Sequence, residues 1–111
     1  MITVISGKRS GKTAELIFQC KKLNAERGTN SVIIVTKDSK SAEDLYALAQ
    51  KLGCGDIPYP IPVYDLLQKR PTHYHSILVD NLDLVMQQII SPWELLGYST
   101  TIDDRGEINE D

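Results

Sequence analysis

The stretch over residues 2–13, ITVISGKRSGKT, constrains the fold of this chain more than any other. It opens with an apolar run rich in β-branched residues, which favour an extended strand. It then passes through a short polar turn carrying Gly7 and Gly11, and continues into TAELIFQCKKLNAER, a helical pattern that Gly28 is placed to end. A strand feeding straight into a helix through a tight turn is the first half of a β-α-β unit.

The rest of the chain repeats that rhythm. Residues 31–36, SVIIVT, read as a strand apolar enough to be buried on both faces. After a polar turn in which Ser39 or Ser41 can cap, Ala42, Leu45, Leu48, Ala49 and Leu52 recur at three and four, and Gly53 follows. In residues 54–62 the alternating Pro58, Pro60 and Pro62 exclude a helix or a central strand, leaving an extended connector or edge strand. Residues 63–69 read as a short helix with Tyr64, Leu67 and Leu66 inward, and residues 76–80, SILVD, as a strand ending on an acid. Residues 82–90 read as a helix with Leu82, Val85, Met86 and Ile89 on its core side, stopped by Ser91-Pro92. Trp93 packs back on the body or marks a partner surface, and residues 98–102 read as a last strand. In the first helix, Ala14, Ile17 and Phe18 share a face that Leu16, Cys20 and Leu23 widen. Alternating strands and helices imply an α/β fold with a mainly parallel sheet of about four or five strands.

Length and charge bound the rest. At 111 residues the chain is one domain over 1–102, followed by an acidic tail over 103–111 that is expected to be solvated. Residues 1–40 carry eight Lys/Arg against Glu15, Glu26 and Asp38, so the basic end surrounds the first turn and suits an anionic ligand. The overall charge of −3 gives no support for strong DNA binding, and Lys21, Lys22 and Arg27 read as a solvated helix face. No apolar run reaches membrane-spanning length and no signal-peptide pattern opens the chain, so a cytoplasmic location is expected. Cys20 and Cys54 are too few for a disulfide framework. His73 and His75 have no partner at ligand spacing and read as loop residues.

The chemistry concentrates in two places. Ser6-Gly7-Lys8-Arg9-Ser10-Gly11-Lys12-Thr13 fits a phosphate-binding turn. Its backbone N–H groups and the positive end of the next helix would face the phosphates. Lys12 would reach the β- and γ-phosphates, and the Thr13 hydroxyl would ligate Mg2+. Asp80, at the carboxyl end of a strand, would hold the same cation. Asn81 follows it; an amide orients water but does not take its proton at neutral pH. Asp83 is nearby as a substitute, although a carboxylate there also suits a helix start.

On these residues the chain resembles the P-loop NTPases, with Walker A over residues 6–13 and Walker B ending at Asp80. Two positions depart from the family pattern: Ser6 stands where Gly or Ala is usual, and Asn81 where many hydrolysing members have glutamate. SGKTAELI is similar to the P-loop segment of thymidine kinases, but the four-cysteine zinc lobe of that family is absent. Most of the chain resembles the short P-loop ATPase-like proteins encoded by phages and prophages. The resemblance implies a three-layer P-loop core and a nucleotide ligand, with Mg2+ and ATP bound. The leading reading is Mg-ATP binding with slow or partner-stimulated hydrolysis, accessory to phage or bacterial DNA metabolism, in the host cytoplasm, with a protein partner or a second copy. Arg70 or Arg105 is a candidate for an arginine supplied in trans. Two other readings remain open: a non-hydrolysing nucleotide-binding adaptor, and a small nucleoside-type kinase.

Overall fold

The computed structural model describes residues 4–5, 11–28, 30–71, 73–74, 76–97, 99 and 108–109. Along the chain these form β1 (Val4–Ile5), α1 (Gly11–Arg27), β2 (Val32–Thr36), α2 (Ser39–Lys51) and β3 (Ile61–Pro62). They continue as α3 (Val63–Lys69), β4 (Ser76–Val79), α4 (Leu82–Ile90) and β5 (Ile108–Asn109). The class is α/β. β2 lies at the centre of a parallel sheet ordered β3-β2-β4, with Val35 opposite Ile61 on one side and Val79 on the other. β1 and β5 form a parallel pair, Val4 with Ile108 and Ile5 with Asn109.

The described strands thus divide into three and two, where a single sheet of four or five was expected. β1 and β5, two residues each, pair with one another and with none of the other described strands. β5 falls in the acidic stretch read as a solvated tail. The strand expected over 98–102 lies outside the described residues, except for Ser99, which is in no strand.

β2 is buried along its whole length, which is why its five residues carry no charge. Successive strand residues point to opposite faces, so neighbours in β2 serve two different cores. Ile34, with Leu78 beside it on β4, packs against Leu16, Ile17 and Cys20 of α1 and Leu45 and Ala49 of α2. Val35, with Val79 beside it, packs against Val63 and Leu66 of α3 and Val85 of α4. Helices therefore cover both faces.

The joint between α1 and β2 is held by one side chain. Gly28 ends α1 at φ +114, its N–H donating to the Asn24 carbonyl at 3.0 Å. Asn24 Nδ2 donates to the carbonyls of Cys20 (2.9 Å) and Val32 (3.0 Å). Asn24 Oδ1 accepts from the backbone N–H groups of Ser31 (2.7 Å) and Val32 (3.0 Å). The amide thus satisfies the helix end and the strand start together.

Several faces differ from the periodicity reading. Asp38, not Ser39 or Ser41, caps α2: its backbone is extended and its carboxylate accepts from Ser41 N–H at 2.8 Å. A carboxylate at the positive helix end is the stronger acceptor, and this bond holds Asp38 below the usual carboxylate range. In α3 the inward stripe is Val63 and Leu66, while Tyr64 and Leu67 are exposed. The helix starts directly after β3, so its first residue already faces the sheet. Tyr64 instead donates through its hydroxyl to the Gln88 carbonyl at 2.7 Å, tying α3 to α4.

In α4 only Val85 is buried; Leu82, Met86 and Ile89 are exposed, because α3 already covers Val35 and α4 reaches that cluster from its margin. Trp93 is 73% exposed and does not pack into the core. Phe18 lies beyond the Leu16–Ile17–Cys20 stripe of α1 and is half exposed.

Replacing Asn24 by Ala removes the side-chain acceptor of the Ser31 and Val32 N–H groups and one donor each from the Cys20 and Val32 carbonyls. Urea unfolding is expected to show a loss of about 1–3 kcal/mol with an unchanged m-value. Asn24→Asp, which keeps the acceptor but removes both donors, is expected to lose at least as much.

Candidate functional site

The carboxyl end of β4 and the amino end of α1 meet. Asp80 N–H donates to the Val35 carbonyl at 3.0 Å, so the ladder continues one residue past β4 and fixes the Asp80 backbone against the central strand. α1 begins at Gly11 and carries Lys12 and Thr13 in its first turn. Thr13 Oγ1 donates to Asp80 Oδ1 at 3.4 Å, across 67 positions of sequence. A full hydroxyl–carboxylate bond is nearer about 2.7 Å. At this longer spacing both oxygens sit side by side and keep acceptor capacity for a cation.

Burial pushes the Asp80 carboxyl above its ordinary value, while the Thr13 hydroxyl and the Lys12 charge pull the other way and do not outweigh it. The site therefore presents a half-buried carboxylate that lacks a close cationic partner among the described residues. Two oxygen ligands suit Mg2+, which takes few protein ligands and completes its shell with water and phosphate oxygens. Among the described residues no group of three or more His, Cys, Asp or Glu could enclose a metal.

Asn81 stands in the left-handed region, φ 58 and ψ 70, which asparagine tolerates better than most residues. Its carbonyl accepts from the N–H groups of Leu84 and Val85 at 3.0 Å, starting α4, while its side chain makes no capping bond. The amide thus sits next to Asp80 without a role in the helix. Asp83 is exposed in the first turn of α4, the helix-start position considered for it.

Of the residues expected in the site, Thr13 and Asp80 are brought together by this junction, with Lys12 near enough for its charge to act on Asp80; Asn81 follows Asp80 in the chain and starts α4. Ser6, Gly7, Lys8, Arg9 and Ser10 lie outside the described residues, as do His75 and Arg105. Arg70 is exposed at the left-handed end of α3, and His73 is an exposed residue whose ring centre lies 4.1 Å from that of Tyr74, the two planes tilted by 41°. Lys21 is paired with Asp56 at 3.0 Å, and Arg27 donates to the Ser76 hydroxyl at 3.2 Å, as suits a solvated face.

Beside the junction lies an open hollow of about 280 Å3, lined by Thr13, Ser41, Asp44, Leu45, Leu48 and Asp80. Residues 41, 44, 45 and 48 share one helix face at spacings of three, four and seven. The apolar reading of α2 used Leu45 and Leu48 from that face and passed over the two polar residues between the leucines and the helix start.

No family model matches the chain, and no curated protein or solved structure matches it.

Because the folded carboxyl of Asp80 is raised, the unfolded chain loses that proton first. Its contribution to stability is therefore largest near pH 4 or below, falls as pH rises through the folded pKa, and then levels off. Asp80→Asn is expected to raise the melting temperature at pH 7 by a few degrees in the absence of ligand. The difference from the parent should shrink as thermal scans are taken towards pH 3.

Proposed function

We propose that this protein binds Mg-ATP through a P-loop and hydrolyses it slowly, or faster with a partner. The observation that carries this reading is the approach of Thr13, in the Gly11-Lys12-Thr13 start of α1, to Asp80 at the end of the parallel strand β4. A Walker A threonine and a Walker B aspartate need that juxtaposition to share one cation. In this reading the turn over residues 6–13 cradles the phosphates, Lys12 neutralises their charge, and Thr13 and Asp80 hold Mg2+. The cation's contribution, when bound, is to neutralise charge on the phosphates.

The pace of hydrolysis follows from Asn81. Its uncommitted amide can orient a water, but no carboxylate occupies the position beside Asp80, and Asp83 points its negative charge from an exposed helix start. This supports slow turnover and keeps the non-hydrolysing adaptor as the second reading. Service in phage or bacterial DNA metabolism, with a partner or second copy completing the site, is the setting that belongs to this reading. Among the described residues no helix is long and apolar enough to cross a membrane.

Calorimetry on the native chain is expected to show one Mg-ATP site, with Lys12→Ala binding at least about tenfold more weakly, a loss near 1.4 kcal/mol. Absence of binding in the native chain at sub-millimolar sensitivity would overturn the proposal. Phosphate release in the same samples separates the two readings, since an adaptor releases none.

A further inference from the structure

Exposed apolar side chains gather on α4 and on the turn that follows it. Residues 82, 86 and 89 succeed one another at spacings of four and three, so Leu82, Met86 and Ile89 share one face of the helix. They stay in water because α4 meets the Val35 cluster through Val85. Beyond the carboxyl end of the helix, Trp93 and Leu96 are exposed as well. The backbone there is firmly held. Gln87 Nε2 donates to the Trp93 carbonyl at 2.7 Å, and Gln87 Oε1 accepts from the Leu95 N–H at 2.7 Å. Trp93 N–H donates to the Ile90 carbonyl at 3.1 Å. The one tryptophan of the chain is thus presented to solvent on a built turn.

We propose that this face is an interface with a second copy of the chain, the two α4 helices packing antiparallel about a two-fold axis. The inference does not rest on the nucleotide reading. Three observations select the occupant. The first is the pattern. Apolar residues spaced four and three form the seam by which one helix packs on another, and an uncharged seam is matched by its own copy. In the antiparallel pair Met86 of each copy meets Ile89 of the other, and Leu82 meets the turn that carries Trp93. Each contact occurs twice, as a two-fold axis requires.

The second observation is size. Leu82, Met86, Ile89, Trp93 and Leu96 are between 38% and 89% exposed. With a large side chain offering on the order of 150–200 Å2, they leave about 500 Å2 per chain in water. Two copies would bury about 1,000 Å2, the lower limit for a specific contact, so the dimer is weak and reversible. The third is charge. Between residues 81 and 97 the charged residues are Asp83 and Glu94, both acidic and exposed, with no Lys or Arg. Such a face is repelled by an anionic lipid surface. In the antiparallel pair Asp83 of one copy comes towards Glu94 of the other at the rim, so added salt screens a repulsion and favours the dimer.

Sedimentation equilibrium on the full chain, from about 1 μM to about 1 mM, is expected to show a monomer–dimer equilibrium with Kd on the order of 10–100 μM. Raising the salt concentration should lower that Kd. Fluorescence reads the same face, since Trp93 is the one tryptophan. Its emission should move to shorter wavelength, and its quenching by acrylamide should fall, as the dimer forms. Met86→Lys places an unpaired ammonium in the seam and should raise Kd at least about tenfold. Trp93→Ala, at an exposed turn, should raise it by a similar factor without touching the core, and decides the matter if circular dichroism shows Met86→Lys unfolded. A chain that stays monomeric at about 1 mM overturns the proposal. Short-wavelength, unquenched emission from that monomer would show that another part of the same chain covers the face. A shift seen only with anionic vesicles would give the face to a membrane and overturn the proposal too. A dimer that neither variant weakens would overturn the assignment to α4.

Discussion

The burial of β2 on both faces is the constraint on which the rest of this structure depends. A strand of Val-Ile-Ile-Val-Thr has no side that tolerates water, so it must lie at the centre of a sheet with helices above and below. Burying each such side chain contributes on the order of 1.5–3 kcal/mol. Once β2 is central, β4 can pair with it only in the register that sends Leu78 to the α1–α2 core and Val79 to the α3–α4 core, because a one-residue slip would exchange the two faces. That register determines where Asp80 emerges. The carboxylate is thus placed beside α1 by hydrophobic packing several residues away, rather than by any local preference of its own.

The same packing sets the chemical tension of the site. An aspartate held to the backbone of Val35 and half-covered by its surroundings is poorly solvated, and Thr13 and Lys12 return only part of what water would supply. Such a group is an unfavourable element of the apo fold and a favourable ligand for a cation. Asn81, in the left-handed region immediately after it, adds local backbone strain at the same corner.

Much of the fold was legible in the residues. α1 occupies Gly11–Arg27 with Gly28 at positive φ, α4 occupies Leu82–Ile90, and β3 is an edge strand among prolines, all as local signals required. Those signals are short-ranged: a glycine that ends a helix, a proline that forbids a ladder bond, a run of β-branched residues. The inward faces were less legible. Tyr64 and Leu67 in α3, and Leu82, Met86 and Ile89 in α4, have helical periodicity but remain exposed. An amphipathic pattern specifies that a face exists; the width and position of the neighbouring surface decide how much of it is covered.

By itself the sequence determined the alternation of strands and helices from α1 to α4 and most of their ends, because each of these is set by a few adjacent side chains. Tertiary structure decided three things that no local pattern contains. It brought Thr13 within 3.4 Å of Asp80 across 67 positions, chose Asp38 over its serine neighbours as the α2 cap, and set Ser41 and Asp44 of α2 at an open hollow beside that junction. The physical reason is the same for the junction and the hollow. Their geometry follows from parallel strand register and from helices packed on one face of the sheet, and both depend on contacts between segments far apart in the chain.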